Sequence, residues 1–316
     1  MKILVTGGCG YKGTVLTQQL LQDGNEVVVV DTQWFGNFLT PHPNLEILQQ
    51  DVRGTEKIPM DGVEAVIHLA NIANDPGVEL NPSLSWEVNV LATQQLIDHA
   101  VRSGVAQFIF ASSGSVYGVK EEAQVTEDLP LVPISVYNKT KMIAERVLLS
   151  FQNEIRVHCI RPATVCGWSP RMRLDVSVNM LTVQALTNQL ITVFGGHQTR
   201  PNIHIRDMVR VYQHFLDNPD LESGCYNAGF ENISILEIAE KVSSKVHSKI
   251  EVTSSNDPRS YRQNSDKLRA TGFGPRYCVS DAIDEVIEKH QAGELVDSDQ
   301  CYTVKWMKSL GLDSQE

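Results

Sequence analysis

The sequence contains no apolar run that approaches the ~18 residues needed to cross a membrane. Its six cysteines are scattered and include no Cys-x-x-Cys pair, a pattern typical of reduced thiols and therefore of a cytoplasmic protein. No cluster of His, Cys and Asp has the spacing of metal ligands, so we expect no catalytic metal. The first predicted strand starts at Lys2, which leaves no room for a signal peptide.

Positive charge is also scarce. The formal net charge is −11, which argues against general nucleic-acid binding because a phosphate backbone attracts cationic surfaces. We therefore expect neither a nucleic acid nor a membrane as a partner. A phosphorylated ligand would have to meet a local group of cations in an otherwise acidic protein.

The remaining composition is that of a globular protein. Its 316 residues are 42% hydrophobic and 21% charged, enough for one large or two moderate domains. In the first half, short apolar runs alternate with helix-period segments, which predicts βαβ units and a doubly wound parallel α/β sheet of the Rossmann type. The predicted strands are Lys2–Val5, Glu26–Val30, Leu45–Leu48, Glu64–Leu69, Gln107–Phe110 and Arg156–Ile160, with one long helix from Asn81 towards Arg102.

The regular alternation of predicted strands and helices ends after Arg161. We expect a Rossmann domain over 1–161, with a return segment at about 203–230, and a smaller, interleaved C-terminal α/β lobe over 162–316. The segment 168–175 is rich in Arg, Met and Pro and predicts a mobile loop. The residues after Gly293 are interpreted as a polar tail.

The most informative stretch is Thr6-Gly7-Gly8-Cys9-Gly10-Tyr11-Lys12-Gly13, which joins the first strand to a helix predicted from about Tyr11 to Asp23. Glycines at such a junction permit a tight turn, close approach of the backbone to phosphates, and close packing of helix on strand. The helix N-terminus then offers free N–H groups to an anion. The pattern indicates a dinucleotide pyrophosphate site.

Asp31 ends the second predicted strand, where an acidic residue accepts hydrogen bonds from the adenosine ribose. No Lys or Arg occurs between Lys12 and Arg53, so no nearby cation in the sequence favours a 2′-phosphate. The cofactor predicted is NAD rather than NADP. The alternative interpretation of Asp31 is an ordinary turn residue after a strand.

Tyr137 and Lys141 lie four residues apart in a predicted helix that follows Pro130 and Pro133, so they share one helical face. A free tyrosine has a pKa near 10, and an adjacent ammonium together with a positive nicotinamide ring favours the phenolate. Tyr-x-x-x-Lys is common by chance, and the alternative is an amphipathic helix with exposed Tyr and Lys.

The segment from Phe108 to Gly118 runs from a buried strand into a small polar turn that contains Ser113. The carboxyl edge of a parallel sheet is where ligands bind in open α/β folds. A hydroxyl at this place can hydrogen-bond a substrate hydroxyl and share its proton with a phenolate.

Taken together and in order, these motifs resemble the extended short-chain dehydrogenase/reductases, and within them the nucleotide-sugar epimerase/dehydratase family. The resemblance covers nearly the whole chain. It rests on the segments Thr6–Gly13, Asp31, Asp51-Val52, His68-Leu69-Ala70, Asn89-Val90, Ser113–Gly118 and Tyr137–Lys141.

The resemblance implies a role for each matched residue. Tyr137 is the catalytic base, Lys141 tunes it and holds the nicotinamide ribose, and Ser113 is the hydroxyl partner. The cofactor-binding residues implied are Gly7, Gly10, Tyr11, Lys12, Gly13, Asp31, Asp51, Val52, Leu69, Ala70, Asn89, Tyr137 and Lys141. The substrate-binding residues implied are Ser113, Ser115, Thr164, Arg200 and Arg259, with the two arginines directed at a diphosphate. For both arginines the alternative is an ordinary surface position.

Departures from the family pattern restrict the reaction. The 4,6-dehydratases carry an acid just after the hydroxyl residue, whereas this chain has Gly114 and Ser115. The 4-epimerases usually have Tyr-Phe-Asn after the arginine of the sixth strand, whereas Arg161 is followed here by Pro162-Ala163-Thr164. Asn71 stands where the family commonly has alanine, and either contacts the nicotinamide or fills the turn.

The resemblance implies an NAD-dependent enzyme that oxidises a nucleotide-linked sugar at C4, foremost a 4-epimerase. A 4-ketoreductase or 4-dehydrogenase, a decarboxylase of a nucleotide uronic acid using Arg171 or Arg173, and a non-enzymatic NAD sensor remain open. The expected partner is a nucleotide-diphosphate sugar. A homodimer and a place in polysaccharide biosynthesis are implied by the resemblance alone.

Overall fold

A computed structural model describes residues 1–254 and 260–313. The strands in this part of the chain are β1 (Lys2–Thr6), β2 (Glu26–Asp31), β3 (Leu45–Gln49), β4 (Ala65–His68), β5 (Gln107–Ala111), β6 (Arg156–Pro162), β7 (Thr164–Cys166), β8 (Leu190–Phe194), β9 (Thr199–His204), β10 (Gly224–Ala228), β11 (Glu231–Ser234) and β12 (Lys249–Thr253). The α-helices are α1 (Tyr11–Gln22), α2 (Asp75–Leu80), α3 (Pro82–Trp86), α4 (Ala92–Arg102), α5 (Val136–Ser150), α6 (Ser177–Asn188), α7 (Ile205–Asp217), α8 (Ile235–Val246), α9 (Asp266–Ala270), α10 (Val279–Gln291) and α11 (Thr303–Ser309).

The largest sheet has seven parallel strands in the order β10-β6-β5-β4-β1-β2-β3. Its central strands are buried on both faces; Ile3, Leu4 and Val5 of β1, for example, are each 0% exposed. Such continuous apolar strands are typical of a parallel sheet covered by helices on both sides. The fold is a Rossmann-type α/β fold, as the sequence predicted.

Two apolar cores lie on opposite faces of this sheet. On one face, Leu16 and Leu20 of α1 pack with Met208 and Phe215 of α7. On the other face, side chains of α4 pack with Ala144 and Leu148 of α5. Tyr137 and Lys141 lie in the first turns of α5, so the packing of α5 in this second core fixes their position relative to the carboxyl edge of the sheet.

A smaller set of elements lies beyond β6. Strands β11, β9 and β7 form one sheet, β12 and β8 form another, and helices α6, α8 and α10 enclose a separate core around Leu181, Ile238 and Ile283. After β9 the chain returns from these smaller elements to the large sheet. Helix α7 packs on that sheet, and β10 pairs with β6 at its edge.

The predicted long helix from Asn81 to Arg102 is divided. Asn81 caps α3 by accepting a hydrogen bond from Leu84 N, and a π-helical turn over Glu87–Leu91 separates α3 from α4. The turn contains the buried Asn89, and π-turns of this kind are frequent near functional sites. No helix in the described residues is both long enough and apolar enough to span a membrane.

Two sequence predictions about the second half were wrong. The segment 168–175, predicted as a mobile loop, is packed: Leu174 is fully buried, and its N–H donates to Cys301 O over 2.9 Å. The supposed polar tail contains α11, whose Met307 is only 2% exposed and joins the core beside α2. Both errors arise because the contacts that order these segments come from distant parts of the chain.

Candidate functional site

A cavity of about 1140 Å³ lies at the carboxyl ends of the large sheet's central strands. Its walls come from the glycine turn after β1, the end of β2, the loops after β4 and β5, the start of α5 and the smaller lobe. A cleft at this edge of a parallel sheet is the expected ligand site of a doubly wound fold.

The glycine turn places backbone where side chains cannot fit. Gly7 has φ +73°, and a Cβ on Gly13 would lie 2.2 Å from Gly7 O. Helix α1 therefore starts directly against the end of β1, and its N-cap residue, Gly10, has no side chain to satisfy the first N–H groups. These N–H groups are available to an anion at the start of α1.

Asp31 is held beside this turn. Its Oδ2 accepts from Cys9 N at 3.0 Å and its Oδ1 from Gln33 N at 2.7 Å. Burial raises the pKa of Asp31 in spite of these two bonds. Each carboxylate oxygen keeps a free lone pair, so the group can still accept from ribose hydroxyls.

The other predicted cofactor residues divide into two groups. Tyr11, Lys12, Asp51, Val52, Leu69 and Ala70 line the cavity together with the glycines. Asn89 lies behind the wall: it accepts from Ile72 N at 2.8 Å and donates to Thr140 Oγ1 at 3.2 Å. It thus ties the loop after β4 to helix α5.

Asn71 projects into the same wall. Its Nδ2 donates to Leu69 O at 2.7 Å, while its buried Oδ1 has no hydrogen-bond partner in the described structure. An unsatisfied acceptor in a cavity wall is costly unless a ligand supplies a donor.

Tyr137 and Lys141 lie one turn apart at the start of α5, which Ser135 caps by accepting from Asn138 N at 3.1 Å. Lys141 is 2% exposed, its Nζ donates to Ala111 O at 2.8 Å, and the same atom lies 6.0 Å from the centre of the Tyr137 ring. An amphipathic helix with an exposed lysine is therefore excluded.

A chain of hydroxyls leads from the phenol into the turn after β5. Ser113 neighbours the Tyr137 phenol and acts to lower its pKa, and Ser113 Oγ lies 2.7 Å from Ser115 Oγ. Ser115 in turn donates to Asn138 Oδ1 at 2.5 Å. The structure thus brings Tyr137, Lys141 and Ser113 together, with Ser113, Ser115 and Tyr137 on the cavity wall.

Without a ligand, burial disfavours ionisation of the Tyr137 phenol. Burial raises the pKa of Tyr137 to about 12, although Ser113 and the charge of Arg173 act in the opposite direction. Burial and the charge of Lys12 hold the pKa of Lys141 well below its usual value. A phenolate therefore requires further positive charge from a ligand, which an oxidised nicotinamide ring provides.

Among the described residues, six cationic side chains line the cavity: Lys12, Arg171, Arg173, Arg200, Lys305 and Lys308. Burial and Arg173 lower the pKa of Lys12 to about 8, and burial and Arg173 lower that of Arg171 to about 10, so these three groups share one space. Arg200 lines the cavity from β9 and Thr164 from β7. Arg259 lies outside the described residues. In an acidic protein, this local group of cations is what a diphosphate ligand requires.

A buried ion pair supports the floor of the site and was missed by the sequence analysis. Arg161 donates twice to Glu145, at 2.9 and 2.8 Å, and once to Tyr117 OH at 2.7 Å. Ser112 donates to the same carboxylate at 2.5 Å. Removing one partner of such a pair costs about 3–5 kcal/mol because the other charge is left buried. The signal available was an acid four residues after Lys141 on the same helical face.

The C-terminal residues were also missed. Tyr302, Thr303, Val304, Lys305, Met307 and Lys308 all line the cavity. The available signal was the mixture of apolar and polar residues in Thr303–Ser309. A helix of only seven residues gives too short a hydrophobic pattern for a reliable prediction. Among the described residues no group of three or more His, Cys, Asp or Glu has the arrangement of a metal site.

Comparisons with known proteins agree with this geometry. The model of a family described as "NAD dependent epimerase/dehydratase family" matches residues 3–229. A UDP-glucose 4-epimerase of Lactobacillus helveticus is 28% identical over 91% of this chain and 95% of its own length. UDP-glucuronic acid decarboxylase 1 of Danio rerio is also 28% identical, over 92% of this chain and 74% of its own.

Solved structures share the whole fold. A UDP-glucuronic acid 4-epimerase from Bacillus cereus, in complex with UDP-glucuronic acid and NAD, superposes with a TM-score of 0.79. It is 26% identical and covers 92% of this chain and 100% of its own. The residues present fit NAD: a glycine turn that leaves no room for a Cβ at Gly7 or Gly13, an accepting carboxylate at the end of β2, and the unpartnered Asn71 Oδ1.

Proposed function

This chain belongs to the NAD dependent epimerase/dehydratase family, and we propose that it is a 4-epimerase of a UDP-linked sugar. It is an NAD-dependent enzyme, as its family and relatives are. The observation that carries the proposal is that Tyr137 and Ser113 line one cavity, which runs from the glycine turn to Arg200, while Lys141 lies buried behind Tyr137 with its Nζ 6.0 Å from the centre of the Tyr137 ring.

NAD would be held by three parts of this cavity. The glycine turn and the first N–H groups of α1 meet its diphosphate, Asp31 its adenosine ribose, and the loop from Leu69 to Asn71 its nicotinamide end. The chemistry that NAD supplies when bound is reversible hydride transfer.

The protein's own chemistry is proton transfer. Tyr137, as phenolate, takes the proton of the sugar C4 hydroxyl, either directly or through Ser113 Oγ, and later returns it. Lys141 stabilises the phenolate from within the protein, where its charge acts through a water-poor medium. Arg200 and Thr164 hold the nucleotide diphosphate, with Arg259 assigned to the same role from the sequence pattern alone.

Dehydration by the route of the 4,6-dehydratases is disfavoured. That reaction requires an acid beside Ser113, but a Cβ on Gly114 would lie 3.2 Å from Gln263 and from Pro162 O. Ser115 is engaged with Asn138, and its hydroxyl is too weak an acid to protonate a leaving group.

A second candidate is decarboxylation of a UDP-uronic acid. Arg173 lies close enough to Tyr137 for each charge to act on the other, so a cation is available near the reacting sugar. However, Arg173 Nε already donates to Asp175 Oδ1 at 2.8 Å, which offsets its charge. A 4-dehydrogenase or 4-ketoreductase would use the same Tyr137, Ser113 and Lys141, but it would release its cofactor after every turnover.

A substrate panel distinguishes these reactions. Purified protein, without added cofactor, is incubated with UDP-glucose, UDP-galactose, UDP-N-acetylglucosamine, UDP-glucuronic acid and their GDP, CDP and dTDP counterparts, and products are identified by NMR and mass. Inversion at C4 without added NAD supports epimerisation. Loss of carbon dioxide from a UDP-uronic acid would contradict the epimerase proposal and support the decarboxylase. Absence of any product across the whole panel would contradict both proposals.

Asp31→Ala tests the cofactor site. Losing hydrogen bonds to a charged acceptor costs about 1.5–3 kcal/mol, so NAD affinity should fall roughly 10- to 100-fold. NADP affinity should change little or improve, because the variant lacks the carboxylate that repels a 2′-phosphate. Calorimetric titration of both cofactors measures this. An equal loss of affinity for NAD and NADP would show that Asp31 does not contact the ribose.

We further propose a cytoplasmic homodimer in which residues 1–161 and about 203–230 form the cofactor domain and 162–316 the substrate lobe. The dimer and the polysaccharide-related role rest on the family resemblance. Light scattering on the purified protein would give the mass of two chains, and a single-chain mass would contradict the dimer.

A further inference from the structure

We propose that the C-terminal segment Cys301–Ser309 and Arg171 form a cover over the adenosine end of the cofactor cavity and retain NAD through successive turnovers. The inference rests on the proposed cofactor site. It assigns a binding role to Arg171 and to residues 301–309, and the latter lie beyond residue 229, where the match to the family model ends.

The cover is built into the cavity wall. Helix α11 and Tyr302 before it line the same cavity as the turn after β2, which contributes Trp34 and Phe35 beside Asp31 and Asp51. Met307 packs in the core that also contains Val52. The C-terminal residues therefore lie over the part of the cavity assigned to adenine and its ribose.

Three anchors from different parts of the chain hold the segment in place. Trp306 Nε1 donates to Trp34 O at 2.6 Å, Thr303 N donates to Asp175 Oδ2 at 3.1 Å, and Cys301 O accepts from Leu174 N at 2.9 Å. The first anchor joins the cover to the adenosine side of the cavity. The other two join it to the segment that carries Arg171 and Arg173.

Arg171 completes the cover from the opposite side. Its guanidinium carbon lies 4.0 Å from the centre of the Phe35 ring, and the residue is 5% exposed. Its Nε has no hydrogen-bond acceptor in the described structure, although it borders the cavity. A buried, unused donor of an ionised group at this place is suited to a phosphate or ribose oxygen.

Retention follows from this arrangement. Because the cover spans the adenosine end, bound NAD can leave only after the Trp306 and Thr303 anchors open. An epimerase regenerates its cofactor in every cycle and gains from such closure, whereas a net dehydrogenase must release it. The cover therefore favours epimerisation over net redox chemistry within the same family.

The experiment follows the release of isotopically labelled NAD from the full-length protein into excess unlabelled NAD. We expect Trp306→Phe, which loses only the indole N–H, to release NAD about three- to tenfold faster than wild type. Trp306→Ala should release it roughly 10- to 100-fold faster. Trp86→Phe is the matched control, because Trp86 lies on α3 outside the cavity wall, and it should behave as wild type.

Hydrogen exchange of wild-type protein gives a readout that needs no variant. Bound NAD should slow amide exchange across residues 301–309. Unchanged NAD release in both Trp306 variants, or exchange in 301–309 that is identical with and without NAD, would overturn the cover. Asp31→Ala separates this failure from a failure of the cofactor site. If Asp31→Ala releases NAD faster than wild type while both Trp306 variants release it at the wild-type rate, the cofactor site stands and only the cover is wrong.

Discussion

Tyr137→Phe should lower kcat by about 10³-fold, within the range that a positioned general base contributes, while NAD remains bound. The variant keeps the ring, which packs against the apolar core on this face of the sheet, but loses the phenol oxygen that takes the sugar proton. The measurement is steady-state conversion of the best substrate from the panel, with bound NAD quantified after denaturation.

Tyr226→Phe is the matched control for this loss. Tyr226 is 2% exposed, its hydroxyl donates to Glu222 O, and neither residue lines the cavity, so the same chemical change should leave kcat near that of wild type. Wild-type-like turnover by Tyr137→Phe would contradict the mechanism. Loss of bound NAD by that variant would show that the tyrosine acts chiefly in binding.

Lys141→Met should reduce activity at neutral pH and displace the pH profile. Activity requires the phenolate, so kcat/KM rises with pH as Tyr137 loses its proton. Without the nearby ammonium the pKa of Tyr137 rises, and the rising limb moves to higher pH. Each unit of that shift lowers the rate at neutral pH about tenfold.

Lys139→Met provides the comparison for this variant. Lys139 is exposed on the same helix, two residues from Lys141, and lies outside the cavity wall. It should leave the profile unchanged. If Lys141→Met lowered the rate equally at every pH, the lysine would act by holding the cofactor or α5 rather than through the charge on the phenol.

The features that sequence could predict are those coded over short distances. The strand, four glycines and helix from Lys2 to Gln22, the acid at the end of β2, and the spacing of Tyr137 and Lys141 each depend on neighbours along the chain. Their joint placement follows from the rule that parallel strands end at one edge. This was sufficient for the fold class, and it predicts that the candidate site residues lie at one edge of the sheet.

The features that sequence missed join residues that are far apart. Trp306 and Trp34 are separated by 272 positions, and Thr303 and Asp175 by 128. The same holds for Arg171, which no local pattern places over Phe35. Hydrophobic periodicity describes which face of an element is buried, but it does not identify the partner, so neither the cover nor the packed 168–175 segment could be read from it.

The interruption of the helix between Asn81 and Arg102 has a similar origin. The apolar period continues through Val88 and Val90, so the pattern alone predicts one helix. In the structure, Asn89 bonds to Ile72 and Thr140 across two neighbouring elements, and the π-turn gives it the orientation to do so. A tertiary contact decides the local geometry here.

The central claim is that Tyr137 becomes a phenolate only when the oxidised cofactor is bound, and its direct test is the titration of that phenol. Ultraviolet difference spectra of wild type minus Tyr137→Phe isolate the tyrosinate signal. We predict a pKa of about 12 for Tyr137 in cofactor-free protein and a marked fall in that pKa when NAD is bound, because the positive nicotinamide ring favours the phenolate. A pKa that stays near 12 in the NAD complex would contradict it.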